Sequence, residues 1–273
     1  MKLAISNIAW QPAQRDAAFE LMAQNGFAGL EIAPGLAFEG EDDPWAPSPR
    51  AVADFEQAMA RFGLRFVSMQ SLLFGVCGAQ LFGDAQEQQA FIGAMERAIG
   101  LAGRLGIPNL VFGSPRNRII PEGMPRQSAM SGAIDFFRRL GEAACMFGAR
   151  IAIEPNPVAY GTNFLNTMDE TAEFVAQVGH PGISLNFDVG AVIMCGQIDR
   201  LEALFDAYSG LVSHVHLSEP NLTPSPSSVS VARQVKRMCA DAGYDGWISI
   251  EMRAPDDRPV EIVSACMTRL VEA

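Results

Sequence analysis

Short apolar segments alternate with longer segments of helical periodicity along the whole chain. Eight of the short segments are rich in β-branched and other apolar residues, which predicts strands that are buried on both faces. They are Leu3–Ser6, Gly29–Ile32, Phe66–Met69, Leu110–Phe112, Ile151–Glu154, Ile183–Asp188, Val212–Leu217 and Trp247–Glu251.

The segments between the predicted strands have the spacing and the terminal residues of helices. An apolar residue recurs every three or four positions, the period of one helix face, at Val52, Phe55, Met59 and Phe62. Capping boxes predict helix starts at Asp84–Glu87, Thr167–Glu170 and Asp199–Glu202. Glycines suited to left-handed helix ends precede strands at Gly26, Gly63, Gly106, Gly148 and Gly243.

Strict alternation of strands and helices predicts an α/β fold with a parallel sheet. The sequence contains neither of the glycine-rich phosphate-binding motifs that are typical of open, doubly wound sheets. Eight strand–helix units in 273 residues instead match a single (β/α)₈ TIM barrel, with residues 1–273 forming one domain. Three long connections, 33–49, 71–83 and 113–126, follow strands 2, 3 and 4, so they lie at the end of the barrel that carries the chemistry.

The composition of the chain argues against several classes of function. Hydrophobic residues make up 49% of the chain, enough for a substantial core, and no apolar run reaches the length of a membrane-spanning helix. The net charge of −11 opposes nucleic-acid binding. Only two lysines are present, which leaves little scope for Schiff-base chemistry. These features predict a cytoplasmic protein that acts on a small molecule, with neither nucleic acid nor membrane as a partner, and they leave a homo-oligomer open.

Ionisable residues stand at the ends of four consecutive predicted strands. Strand 5 ends at Glu154, strand 6 at Asp188 and strand 8 at Glu251, while strand 7 carries His214 and His216, which point to one face. Three converging carboxylates would repel one another without a cation. Three oxygens and one nitrogen suit Mn²⁺, Mg²⁺ or Co²⁺, with Zn²⁺ or Fe²⁺ as alternatives. The sequence therefore predicts one divalent metal ion, and the spacing alone does not choose between the two histidines.

The same strand ends resemble a known family. Four short motifs, E-P-N at 154–156, N-x-D at 186–188, H-x-H at 214–216 and I-E at 250–251, resemble the xylose-isomerase-like TIM-barrel superfamily, which includes sugar isomerases and epimerases, inosose dehydratases and endonuclease IV. The resemblance implies that Glu154, Asp188, His216 and Glu251 bind the metal. It also implies that Glu154 and Glu251 are catalytic, because the two glutamates exchange the proton in the ketose 3-epimerase branch.

The sequence departs from that branch at two positions. Ala191 stands where the branch has a histidine after strand 6, and Leu222 stands where it has an arginine that contacts sugar hydroxyls. We therefore expect a metal-dependent isomerase or epimerase of carbohydrate metabolism with an altered pocket. Its substrate would be a ketose, a sugar phosphate or a related hydroxy-ketone, converted through an enediolate. The alternatives are a sugar or inosose-type dehydratase and a non-catalytic, metal-containing barrel that binds a ligand.

Further polar residues follow the strand ends and are candidates for substrate binding. A phosphate or carboxylate suits the loop after strand 4, and hydroxyl groups suit the amides that follow strand 5. The candidates are Ser114, Arg116, Arg118, Asn156, Asn163, Asn186 and Glu219. Glu31 on strand 2 and Gln70 after strand 3 could also reach this end of the barrel.

Overall fold

The computed structural model describes residues 1–273 and contains eight parallel strands that close into a barrel in the order β1 to β8. All eight predicted strands are confirmed to within one residue at each end. The strands are β1 (Lys2–Ser6), β2 (Gly29–Ile32), β3 (Arg65–Met69), β4 (Asn109–Phe112), β5 (Arg150–Ile153), β6 (Ile183–Asp188), β7 (Val212–Ser218) and β8 (Trp247–Glu251).

Helices surround the barrel and connect successive strands. The ten α-helices are α1 (Arg15–Gln24), α2 (Pro34–Ala37), α3 (Pro49–Ala60), α4 (Ala85–Leu105), α5 (Arg126–Met146), α6 (Met168–Val178), α7 (Val189–Met194), α8 (Leu201–Tyr208), α9 (Val229–Asp241) and α10 (Pro259–Glu272). The fold is therefore the single (β/α)₈ barrel that the sequence predicts. Long connections follow β2, β3 and β4, as predicted, but the connection after β5, over 154–167, is as long as the one after β4. No helix combines the length and the apolar character that crossing a bilayer requires.

Two of the three predicted helix starts are confirmed. Asp84 and Glu87 form a reciprocal capping box at α4, and the side chain of Thr167 accepts a hydrogen bond at the start of α6. The start predicted at Asp199 is wrong, because a 3₁₀ turn over Ile198–Arg200 comes first and α8 begins only at Leu201. The glycines predicted at helix ends all have φ between 65° and 74°: Gly26, Gly63, Gly106, Gly148 and Gly243.

The interior of the barrel is polar to an unusual degree. TIM barrels commonly fill this space with branched apolar side chains. Here the register pairs Ser6 with Glu31, Glu31 with Ser68, and the histidines of β7 with residues of β6. Closer to the N-terminal end, Asn109 donates a hydrogen bond to Ser68 over 3.0 Å. Because a buried polar group without a partner is costly, this interior depends on hydrogen bonds between strands.

One aromatic ring packs closely against the backbone near the N-terminal end of the barrel. Trp247 begins β8, and its ring lies against the backbone of Gly29 on β2. A Cβ atom at position 29 would come within 2.7 Å of two ring carbons, so only glycine fits there. The guanidinium group of Arg65 covers the same ring, 4.9 Å from its centroid.

Phenylalanine rings join the barrel to its helices on one side. Phe137 of α5 is fully buried, and its ring centroid lies 5.1 Å from that of Phe112 on β4 and 5.6 Å from that of Phe174 on α6. Phe164, in the loop before α6, continues this cluster, 5.7 Å from Phe174. These contacts anchor the loops after β4 and β5 to the apolar layer beneath them.

Candidate metal centre

Four side chains converge at the C-terminal end of the barrel. Glu154 immediately follows β5, Asp188 ends β6, His216 lies on β7 and Glu251 ends β8, and one ligand atom from each lies within 4.8 Å of the others. The imidazole Nδ1 of His216 is the common neighbour. It lies 2.9 Å from Glu154 Oε1, 3.3 Å from Glu251 Oε2 and 3.8 Å from Asp188 Oδ2.

Two amide side chains hold the carboxylate of Glu154. Asn186 donates to Oε1 over 2.7 Å, and Asn156 donates to Oε2 over 3.3 Å. Gly113, which follows β4, packs directly against this carboxylate, because a Cβ atom there would lie 2.7 Å from Oε2. The position of Glu154 is therefore set by β6 and by the loops that follow β4 and β5.

Asp188 caps a helix in addition to facing the other three side chains. Its Oδ1 accepts a hydrogen bond from the backbone N–H of Ala191, which caps the N-terminus of α7. Its Oδ2 accepts a hydrogen bond of 2.7 Å from the hydroxyl group of Ser218, two residues beyond His216 on β7. Ser218 was not among the sequence candidates, although strand alternation places it on the same face as His216.

The electrostatics of the cluster reflect crowded negative charge. Burial, and then the carboxylates of Glu154 and Glu251, raise the pKa of Asp188. Burial likewise raises the pKa of Glu251, against the opposite effect of His216. Burial alone would lower the pKa of His216, but the surrounding carboxylates, Glu31 first among them, raise it well above its ordinary value. In the protein alone, this crowding therefore favours the protonated forms of Asp188, Glu251 and His216.

The donor set fits a divalent cation. Three carboxylates from β5, β6 and β8, together with one imidazole nitrogen, supply the mixed oxygen and nitrogen ligands that such ions accept. The asparagine and serine side chains that donate to the carboxylates of Glu154 and Asp188 are supporting contacts of the kind expected around metal ligands. A cation at this point would compete with protons for these side chains, because metal ligands bind in their deprotonated forms.

A second buried group lies directly beneath the first. Glu31 of β2 is completely buried, and its two carboxylate oxygens lie 3.0 and 3.1 Å from Nε2 of His216. Nε2 of His214 lies 2.9 Å from Glu31 Oε2, and Gln70 donates to Oε1 over 2.9 Å. Burial alone would raise the pKa of Glu31, but the two histidines lower it below its usual range. Of the two further candidates at this end of the barrel, Glu31 therefore contacts both histidines and Gln70 contacts Glu31.

The two predicted arginines of the loop after β4 face different environments. Arg116 is exposed and forms no salt bridge or side-chain hydrogen bond. Arg118 is completely buried above the ring of Phe112 and donates to the backbone carbonyl oxygen of Glu154 over 2.9 Å. Burial lowers the pKa of Arg118 to about 9, against the effect of the Glu154 carboxylate. Ser114, at the start of this loop, is partly exposed with a φ of 44°.

The remaining predicted substrate residues bind other loops. The side chain of Asn163 accepts from the N–H of Ile120 over 2.7 Å and donates to its carbonyl oxygen over 2.9 Å, which joins the loops after β4 and β5. Glu219 accepts from the N–H of Ser227 over 2.9 Å and so closes the loop after β7. The structure thus brings Asn156 and Asn186 to the carboxylate cluster and engages Asn163 and Glu219 in loop contacts.

The charge of this cluster affects the hydroxyl group of Tyr160, in the loop after β5. It lies half-buried in the loop after β5. Burial, and then the carboxylate of Asp188, raise its pKa to about 12, with smaller contributions from Glu251 and Glu154. At neutral pH it is therefore a hydrogen-bond donor beside the three carboxylates.

A cavity also opens at the opposite end of the barrel. A cavity of about 430 Å³ opens at the N-terminal mouth, lined by Asn109, Arg150, Ser213 and the residues before β8. None of the four converging residues lines it. The location of the ionisable side chains is the better guide to chemistry, because TIM-barrel enzymes place their active sites at the C-terminal ends of the strands.

The fold and the strand-end cluster agree with a family assignment. The family model described as xylose isomerase-like TIM barrel matches residues 19–269, and the chain belongs to this family. No curated protein matches the sequence.

Solved structures of sugar epimerases share the fold at low sequence identity. The chain is similar to 3-keto-D-glucoside 4-epimerase from E. coli, with 17% identity over the full length of both chains and a TM-score of 0.78. It is similar to D-psicose 3-epimerase with D-tagatose from Clostridium cellulolyticum H10, with 15% identity, coverage of 99% and 98%, and a TM-score of 0.77. An L-ribulose 3-epimerase is 13% identical, with coverage of 99% and 92% and a TM-score of 0.73. Identities this low show the fold alone.

Proposed function

We propose that this protein is a divalent-cation-dependent isomerase or epimerase that moves a proton on the carbon next to a carbonyl group. Its substrate class is a ketose, a sugar phosphate or a related hydroxy-ketone. The observation that carries the proposal is the convergence of Glu154, Asp188, His216 and Glu251 on one point at the C-terminal end of the barrel. Similar folds in enzymes named as sugar epimerases support the same class.

The four residues would hold the cation, with Nδ1 of His216 as the nitrogen ligand. When bound, a divalent cation supplies Lewis-acid stabilisation of the negative charge that develops on the substrate oxygens. Three of these four residues are buried, which strengthens such electrostatic effects because little water competes there.

Glu154 and Glu251 are the proposed proton-transfer groups. They come from β5 and β8, with β6 and β7 between them, and they approach Nδ1 of His216 from different strands. One carboxylate would take the proton from the carbon and the other would return a proton. Return to the opposite face gives epimerisation, and return to the neighbouring carbon gives isomerisation. Asn186 and Asn156 hold Glu154 in place for this role by hydrogen bonds to both oxygens.

Substrate contacts belong to the side chains that remain free above the cluster. Ser114 and Arg116 have no side-chain hydrogen bond to protein and follow β4 at this end of the barrel. Arg116 would bind a phosphate or carboxylate group of the substrate. Tyr160 would donate to a substrate oxygen. Arg118, Asn163 and Glu219 would support binding indirectly, since their polar groups hold the loops.

The test is hydrogen exchange between substrate carbon and solvent. Mn²⁺-loaded protein is incubated in D₂O with D-fructose, D-tagatose, D-psicose, L-ribulose and a 3-keto-glucoside, and ¹H NMR follows loss of the signal from the carbon next to the carbonyl group. We expect exchange with at least one of these compounds. Glu154→Gln and Glu251→Gln are each expected to lower the rate by about 10²–10⁴-fold, the usual contribution of general acid–base catalysis.

Glu173→Gln, an exposed glutamate of α6, is the matched control and should leave exchange unchanged. Full activity in both Glu154→Gln and Glu251→Gln would overturn the mechanism. An unsaturated product with a new ultraviolet absorption would instead indicate a dehydratase. Tight ligand binding without any exchange would indicate a barrel that only binds.

A further inference from the structure

His216 has two chemically different sides. Its Nδ1 faces the carboxylates of Glu154 and Glu251, whereas its Nε2 lies 3.0 and 3.1 Å from the two oxygens of Glu31. His216 and Glu31 are both completely buried, so bulk water does not compete for the contact between them. The ring therefore joins the cluster at the strand ends to a carboxylate from the other side of the barrel.

The position of Glu31 is fixed independently of His216. Gln70 donates to Glu31 Oε1 over 2.9 Å and also donates to the hydroxyl group of Ser6 on β1. His214 approaches Oε2 to 2.9 Å from the neighbouring position on β7. Gln70, which follows β3, and His214 of β7 thus hold the carboxylate beside Nε2 of His216.

A carboxylate can only accept hydrogen bonds, so in the protein alone both ring nitrogens of His216 face acceptors. When a cation takes the place of the hydrogen on Nδ1, Nε2 keeps its own hydrogen because it faces Glu31, and the lone pair of the neutral imidazole lies on Nδ1. That lone pair points to the place where three carboxylates converge. A hydrogen bond to a carboxylate also makes the opposite nitrogen a stronger ligand.

We infer that Glu31 is a positioning residue that holds His216 in the form that binds a divalent cation through Nδ1. The inference rests on the cation site of the proposed function. Gln70 and His214 act one step further out, by holding Glu31. Glu31 itself lies on the far side of the imidazole ring and contributes no ligand atom to that ion.

Glu31→Gln is the sharpest test, because the amide keeps the shape of the side chain but can donate a hydrogen bond to Nε2. The imidazole can then place its hydrogen on Nδ1, where it blocks the cation. Isothermal titration with Mn²⁺ should show a dissociation constant about 10–100-fold higher than that of the unaltered protein, the usual effect of losing such a partner. Glu173→Gln on the exposed face of α6 should bind Mn²⁺ like the unaltered protein.

A second measurement separates positioning from a general loss of structure. The chain has only three histidines, so a two-bond ¹H–¹⁵N correlation spectrum of the Zn²⁺-loaded, ¹⁵N-histidine-labelled protein resolves each ring. His216 should show a hydrogen on Nε2 and cation binding at Nδ1 in the unaltered protein. Glu31→Gln should show a population with the hydrogen on Nδ1. Should Glu31→Gln fail to fold, Gln70→Met removes one donor from the carboxylate and should weaken Mn²⁺ binding less than tenfold but measurably.

The outcomes distinguish this inference from the proposed function. Unaltered protein that binds neither Mn²⁺ nor Zn²⁺ overturns both. Suppose instead that the unaltered protein binds one ion. Unchanged affinity and an unchanged His216 spectrum in Glu31→Gln would then overturn only the role of Glu31. If Glu31→Gln does not fold, unchanged affinity in Gln70→Met would have the same meaning. Two ions per chain, one of them lost in Glu31→Gln, would show that Glu31, His214 and His216 form a metal site themselves and would also overturn the positioning role.

Discussion

Gly113→Ala tests how tightly the fold fixes the first of the proposed metal ligands. A Cβ atom at position 113 would lie 2.7 Å from Glu154 Oε2, whereas ordinary contacts begin at 3.4 Å. The oxygen would have to move by about 0.7 Å, the difference between these two distances. Its retreat is restricted, because Asn186 and His216 hold the other oxygen of the same carboxylate at 2.7 and 2.9 Å.

A displacement of this size is large for a metal ligand but small for the fold. Misplacement by about 1 Å can cost about 10²-fold in function, so we expect Gly113→Ala to weaken Mn²⁺ binding by about 10–100-fold. The free energy of unfolding should change by less than about 1 kcal/mol, because φ at position 113 is not in the left-handed region and only the end of a side chain must move.

Isothermal titration with Mn²⁺ and urea unfolding measure the two quantities on the same sample. Gly132→Ala is the matched control, since a Cβ atom there meets nothing within 4 Å on the exposed side of α5. It should leave the dissociation constant unchanged. Binding by Gly113→Ala within about threefold of the unaltered protein, a difference below about 1 kcal/mol, would refute the reasoning. Destabilisation by more than about 3 kcal/mol would refute it too, because the strand rather than Glu154 would then have yielded.

Three further predictions concern stability. Asp84→Ala removes the hydrogen bonds to the first turn of α4 and should lower the free energy of unfolding by about 1 kcal/mol. The melting temperature should fall by about 2–4 °C, and no change would show that water replaces the cap. Phe137→Ala should lower the free energy of unfolding in urea by about 3–5 kcal/mol, because the ring packs against two others. A decrease below about 1 kcal/mol would show that the cluster closes around the gap. The hydrogen bond from Tyr208 lowers the pKa of Asp169, so this carboxylate stabilises the fold at neutral pH and loses that effect as the pH falls below its ordinary value of about 4. The unaltered protein should therefore exceed Asp169→Asn in melting temperature at pH 7, and the difference should shrink at pH 3; a constant difference would contradict this.

The strands were predictable because each carries its own local signal. Apolar runs such as Ile183–Asp188 are bounded by turn residues, and their closure into a ring follows from the count of eight units. The helix start at Asp199 was not predictable from the same kind of signal. The residue type is right for a cap, but Asp199 lies within a 3₁₀ turn over Ile198–Arg200 and so does not stand at the start of the helix.

The candidate metal centre was predictable as far as strand ends determine it. Glu154, Asp188 and Glu251 each end a strand or follow one, and parallel strands bring their ends together. The burial of Arg118 was not predictable, because it depends on the ring of Phe112 and on the carbonyl oxygen of Leu165, which is 47 positions away in sequence. A loop arginine has the same local pattern whether it faces solvent or not.

The contact between Glu31 and His216 spans 185 positions and exists only once the ring of strands has closed. One functional unit therefore has residues in both halves of the chain. Glu31, which accepts the hydrogen bond, lies before β3, and the four strand-end groups lie after β4. A fragment with β5 to β8 would carry every proposed ligand yet lack the group that orients the histidine, and a fragment with β1 to β4 would bury a carboxylate without an imidazole partner. The two halves of this barrel are therefore interdependent in assembly, and the ability to take up a cation is a property of the completed ring rather than of the half that supplies the ligands.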